Sequence, residues 1–213
     1  MGTIKKGILS GFNGTVGTVI GGSWKGIEYM RSRPAKRSTN FSQAQLEQQA
    51  KFATVINFLN TMVGLVRITY RDFAVKMTAF NSAMSYHIRF AITGTYPDYS
   101  IDYSLAQISK GDLPNATVNG NNINFTWTGN SGVGRALPSD QAILVVYCAA
   151  RNQTIYTTNG GTRSAGAGSL NVANLAGETV ETYIGFISED GDEVATSISV
   201  SYTHLTLPTI LRV

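Results

Sequence analysis

From Ala116 to Ser199 the chain alternates apolar and polar residues with a period close to two, and this pattern limits the fold more than any other feature. The segments that carry it are Asn122–Thr128, Gln141–Ala149, Thr154–Thr158, Ser169–Val172, Thr179–Ser188 and Glu193–Ser199. Breaks rich in Gly, Asn and Asp fall at 129–134, 159–161, 176–177 and 190–192. Short strands at this spacing predict an all-β sandwich of two sheets. One segment departs from strict alternation. Gln141 to Cys148 (QAILVVYC) is apolar on both faces, whereas one face of a sandwich strand should be wet. Tyr183 and Ile187 likewise fall opposite Ile184 and Phe186. If the two strands are neighbours, Tyr147, Tyr183 and Ile187 form an outer patch of the kind that packs on another domain or a partner.

The first 114 residues read differently, as an α+β domain. Asn13 to Arg33 (NGTVGTVIGGSWKGIEYMRSR) predicts a hairpin of Thr15–Ile20 and Trp24–Arg31, with Gly21-Gly22-Ser23 as its turn. Alternation puts Trp24, Glu28 and Met30 on one face and Lys25, Ile27, Tyr29 and Arg31 on the other. The glycines are too poorly placed for a phosphate loop, because Gly22 is followed by Ser23-Trp24 rather than by Lys and a hydroxyl residue. Ser42-Gln43-Ala44-Gln45 fits a capping box. The helix it opens would carry Leu46, Ala50, Ala53, Ile56, Leu59 and Val63 on one face and break or bend at Gly64. Leu65–Phe73 fits either a strand or a short helix, Thr78–Ile92 a second amphipathic helix, and Tyr99–Ile108 a strand. Lys110-Gly111-Asp112-Leu113-Pro114 marks the expected domain boundary, and residues 116–199, with Trp127 at their centre, are expected to fold alone.

Charge is distributed unevenly. Residues 1–40 hold seven basic residues against Glu28 alone, a net +6, and the remainder has 10 basic and 12 acidic residues, a net −2. Such a segment predicts weak, salt-sensitive association with nucleic acid and no base reading, since no recognition motif accompanies it. Charged residues make up only 14% of the whole, and Asn, Thr, Ser and Gly fill the gap. No apolar run reaches membrane-spanning length and the N-terminus carries no signal core, which gives a cytoplasmic location by default.

Catalytic residue types are scarce. His87 falls on the Phe80/Met84/Ile88 face of the predicted helix and reads as a structural histidine. Cys148, the single cysteine, lies in an apolar strand and reads as a small core residue. Glu189, Asp190, Asp192 and Glu193 surround Gly191 without the ligand order of a calcium loop. No catalytic, metal or cofactor residue is predicted. The expected interaction surface comprises Trp24, Lys25, Tyr29, Tyr147, Tyr183 and Ile187, facing a protein partner or a second copy. Binding of glycans by exposed tyrosines is the alternative.

Two resemblances refine these expectations. Trp127 in Ile123-Asn124-Phe125-Thr126-Trp127, and Leu175-Ala176-Gly177-Glu178-Thr179-Val180, resemble the core tryptophan and the tyrosine corner of fibronectin type III domains. Ala176 and Val180 replace that corner's proline and tyrosine. Trp24-Lys25-Gly26, Ser42 to Leu46 and Gly94-Thr95-Tyr96-Pro97-Asp98-Tyr99 resemble an uncharacterised family of Bacteroidota bacteria over residues 2–199. The Gly hairpin, basic-proline segment and Gln-rich helix start are also similar to some tailed-phage structural proteins. Val200 to Thr209 resembles a translated sequencing adapter, so residues 200–213 are expected to be a non-native, dispensable tail. The resulting expectation is an α+β domain over 1–114 and a fibronectin type III-like sandwich over 115–199. Its function would be structural or interactive and not enzymatic.

Overall fold

The computed structural model of the chain describes residues 3–4, 12–24, 26–33, 40–109, 117–121, 124–175 and 178–200. These form an α+β protein with three helices and antiparallel strands in four sheets. By packing, the chain divides into two compact units, Met1–Gln45 and Leu46–Val213.

The first unit is a meander of β1 (Thr3–Ile4), β2 (Phe12–Val16), β3 (Val19–Trp24) and β4 (Ile27–Ser32), in that spatial order. Its turns differ from the expected one. Gly17 (φ 59°) and Gly26 (φ 80°) take the left-handed conformation and reverse the chain. Gly21 and Gly22 instead lie inside β3. A Cβ at Gly21 would sit 2.0 Å from the Phe12 carbonyl oxygen, and one at Gly22 would sit 2.9 Å from the Tyr29 ring. Close approach, not turn formation, is why these positions are glycine.

The second unit begins within α1 (Gln43–Asn60), and α2 (Val63–Thr69) and α3 (Ala79–Phe90) follow. The capping box forms as expected. Gln45 N donates to Ser42 Oγ at 3.3 Å, and Ser42 N donates to Gln45 Oε1 at 2.9 Å. The helix buries Val55, Phe58 and Leu59, followed by Met62, which is the i, i+3, i+4, i+7 stripe beside the expected one. It ends at Asn60, and α2 leaves at 91°. The break precedes Gly64, which lies in α2 with the Tyr156 hydroxyl 2.6 Å from where its Cβ would be. Thr78 caps α3 by accepting from Asn81 N at 3.1 Å. A hairpin of β5 (Ile92–Thr95) and β6 (Asp98–Ile101) follows. β6 stops early because the Asp102 carboxylate accepts from Ser104 N at 3.0 Å and closes a turn.

The remaining strands are β7 (Thr117–Asn121), β8 (Asn124–Thr128), β9 (Gln141–Cys148), β10 (Gln153–Thr157), β11 (Ala167–Ser169), β12 (Glu181–Ile187) and β13 (Ile198–Val200). They form a three-stranded sheet, β11-β8-β7, and a four-stranded sheet, β10-β9-β12-β13. Phe125 and Trp127 of the first meet Leu144, Val146, Cys148, Ile184 and Phe186 of the second in one apolar layer. The opposite face of β9 and β12 carries Ile143, Val145, Tyr147, Tyr183 and Ile187 into a second layer with Val55, Phe58, Leu59, Met62 and Leu65. The double-sided apolar strand is thus a wall between two cores. The expected boundary at 114/115 lies within this unit, outside the described residues.

The expected strand 193–199 is interrupted. Ile108 N and Ser109 N donate to Ser197 Oγ at 2.8 and 3.2 Å, Ser197 N donates to Ser109 O, and Ser109 Oγ donates to Ala195 O at 2.7 Å. The polypeptide after β6 thereby takes the hydrogen bonds that a longer strand would use. Val200 is buried, and its carbonyl accepts from Thr182 Oγ1 at 2.9 Å, so it belongs to the fold rather than to the expected tail. Residues 201–213 lie outside the described residues.

Candidate functional site

In an antiparallel pair, residues directly opposite share a face. The register Trp24↔Ile27, Gly22↔Tyr29 and Ile20↔Arg31 therefore gathers Trp24, Ile27, Tyr29 and Arg31 on one face of the N-terminal sheet. Glu28, Met30 and Ser32 occupy the other, with Val19 and Val16. The expected grouping of Trp24 with Glu28 and Met30 fails because the turn falls after Trp24 and shifts the parity. Both faces are apolar and open: Val16 is 54% exposed, Ile27 53%, Tyr29 47% and Met30 67%. Trp24 is also exposed. Gly21 is the one residue of this sheet that is buried among those described. Lys25 lies outside the described residues, as do Lys5, Lys6, Lys36 and Arg37 of the basic segment.

The other expected surface residues are not at the surface. Tyr147, Tyr183 and Ile187 are 5%, 0% and 7% exposed. Phe58 of α1 packs edge-on to Tyr147 at 4.9 Å, and Tyr183 Oη donates to Tyr103 O at 2.9 Å. Alternation correctly placed them opposite the sandwich core. What covers them is the chain's own helical layer.

Residue types suited to catalysis are held in structural settings. His87 is fully buried against Phe58 and Tyr86. Its Nδ1 lies 2.8 Å from Ala83 O, so the neutral ring donates there. Burial pushes its pKa down to about 4, with the Ala83 bond opposing. Cys148 is buried in the sandwich core. In the acidic turn, Arg71 pairs with Asp192 at 3.2 Å and Arg135 pairs with Glu193. Among the described residues no group of three or more His, Cys, Asp or Glu side chains is placed to hold a metal ion. No single described helix is long and apolar enough to cross a membrane.

Sequence reasoning missed one polar constellation. Asp140 and Arg163 are fully buried and joined at 3.0 Å between Oδ2 and Nε. Asp140 Oδ2 also accepts from Leu137 N at 2.9 Å, Arg163 Nη1 donates to Asn130 Oδ1 at 2.7 Å, and the guanidinium lies 4.0 Å from the Phe186 ring centre. Trp127 Nε1 donates to Arg163 O at 2.9 Å. Burial lowers the Arg163 pKa and Asp140 offsets this, so the pair fastens two loops to the sandwich core. Residues 23 positions apart in Gly- and Ser-rich loops carry no periodic signal that would have revealed it.

His87 gives a pH dependence with a definite sign. Its native pKa lies below the unfolded value, so the unfolded chain binds the proton more readily. Stability is full above pH 6.5 and falls as the pH drops from 6.5 towards 4, by about 3 kcal/mol. Glu181, whose carboxyl is raised by burial, acts in the opposite direction near the acid end. Urea unfolding across this range should show the loss in the parent and a flatter profile in His87→Leu. An equal slope in both would refute the assignment.

Together these features define an α+β protein with an exposed two-faced sheet and with His87 and Cys148 buried. Residues 11–201 match the profile of a family of unknown function (DUF6266), and the chain belongs to that family. Comparison with curated proteins and with solved structures gives no match in either.

Proposed function

We propose that the chain is a non-enzymatic interaction protein that docks on a protein partner through its N-terminal sheet. The observation that carries this is a sheet with apolar side chains on both faces and only Gly21 buried among its described residues. Such a sheet gains stability from whatever covers it. The burial of His87 and Cys148, and the ion pairs of the acidic turn, support a non-enzymatic reading. The same proposal takes β7–β13 as a fibronectin type III-like sandwich. Support comes from the three-on-four strand order and from Trp127 in the shared core. It also takes residues 202–213 as an appendage, since the family match closes at 201.

The test is sedimentation of the full chain, purified with and without its native lysate, beside Tyr29→Ser and Met30→Glu. The expected result is self-association or a stoichiometric bound protein, lost in both variants while the second unit stays folded. A monomer that retains an ordered N-terminal sheet without any bound protein would sink the proposal. The +6 charge of residues 1–40 should give DNA binding that falls steeply with salt. Tight binding at physiological salt would make nucleic acid the partner instead.

A further inference from the structure

A groove in the second unit lies among α1, β6 and the turn between β9 and β10. Its volume is about 450 Å³, within the range of small-molecule sites. Asn57, Tyr99, Ser100, Tyr103, Tyr147 and Asn152 line it, and no charged side chain does. The Tyr147 hydroxyl donates to Asn152 Oδ1 at 3.2 Å, and its ring centre lies 5.5 Å from that of Tyr103. With Oδ1 engaged, the Asn152 amide is oriented and its NH₂ retains donor capacity. Asn152 also holds a left-handed backbone, φ 46°, which fixes where that amide projects. Tyr183 anchors the Tyr103 carbonyl, and Phe58 backs the Tyr103 and Tyr147 rings. The tyrosines are therefore preset before any ligand arrives.

We propose that this groove binds a neutral mono- or disaccharide. Amides and hydroxyls match the mixed donors and acceptors of sugar hydroxyls, and the half-buried Tyr103 ring offers an apolar edge to sugar C–H groups. No charged residue is among the lining, and the nearby Lys51 ammonium is held over the Tyr99 ring, 5.0 Å from its centre. This site is separate from the N-terminal sheet, and neither depends on the other.

The experiment is an amide chemical-shift titration of the full chain with maltose, cellobiose, lactose and diacetylchitobiose, with glucose 1-phosphate as a charged control. At least one neutral sugar should shift the resonances of Ser100, Tyr103, Ala149 and Asn152 and saturate, whereas the phosphate should not. Asn152→Gly keeps the backbone conformation but removes the amide, and should weaken binding about ten-fold, the effect of losing one hydrogen bond. Asn57→Ala, on the exposed side of α1, should also weaken it and leaves the Tyr147 contact intact. Absence of saturable shifts with every neutral sugar overturns the proposal. Shifts that persist unchanged in both variants place binding elsewhere and overturn it too.

Discussion

Residues 116–201 expressed alone are expected to give a collapsed chain with a poorly dispersed amide spectrum, whereas residues 46–201 should fold. Cutting before 116 removes the layer of Val55, Phe58, Leu59, Met62 and Leu65 from β9 and β12. Ile143, Val145, Tyr147, Tyr183 and Ile187 would then face water. Each buried side chain of this size contributes about 1.5–3 kcal/mol. Five of them rival the whole stability of a typical domain, about 5–15 kcal/mol. Hydrogen bonds of Ser109 and Ser197 would be lost as well. A well-dispersed spectrum and a cooperative melt from residues 116–201 would show that the sandwich stands without its cover, as period and linker composition suggest.

Breaking the Asp140–Arg163 pair should have the next largest effect. Asp140→Ala leaves a fully buried guanidinium facing Asn130 and the Phe186 ring, at a cost of about 3–5 kcal/mol. The Leu137 amide loses its acceptor at the same time. Replacing both partners, Asp140→Leu with Arg163→Met, should be milder than Asp140→Ala, because no uncompensated charge remains. Chemical denaturation of the three variants measures this. A double variant at least as destabilised as Asp140→Ala would mean that shape, not charge pairing, holds these loops.

How much was legible can be judged residue by residue. The capping box at Ser42, the core placement of Cys148 and the buried setting of His87 followed from local patterns, because each depends on neighbours within a turn or a strand, whereas the core placement of Trp127 came from a family resemblance. The α+β composition was legible for the same reason. The turns of the N-terminal sheet were not. Glycine signals both reversal and close approach, and only the positions of Phe12 and Tyr29 decide between them. The double-sided strand announced a partner for Tyr147 and Tyr183 but could not say that α1 would supply it, through Phe58 on Tyr147 for instance. The groove around Asn152 joins α1, β6 and the β9–β10 turn, so no local window contains it.

The position of β4 at the edge of its sheet bears on how copies of the chain survive in excess of whatever covers them. All six of its side chains are exposed, and no proline interrupts it. Glu28 and Arg31 are its only charged residues. An outermost strand of this kind is a template for strand addition by any neighbouring chain. An orphan copy is thus an aggregation hazard as well as an idle one. On the proposed docking its abundance must be matched to that of the protein it docks on, and trimming through residue 45 should yield a more soluble molecule.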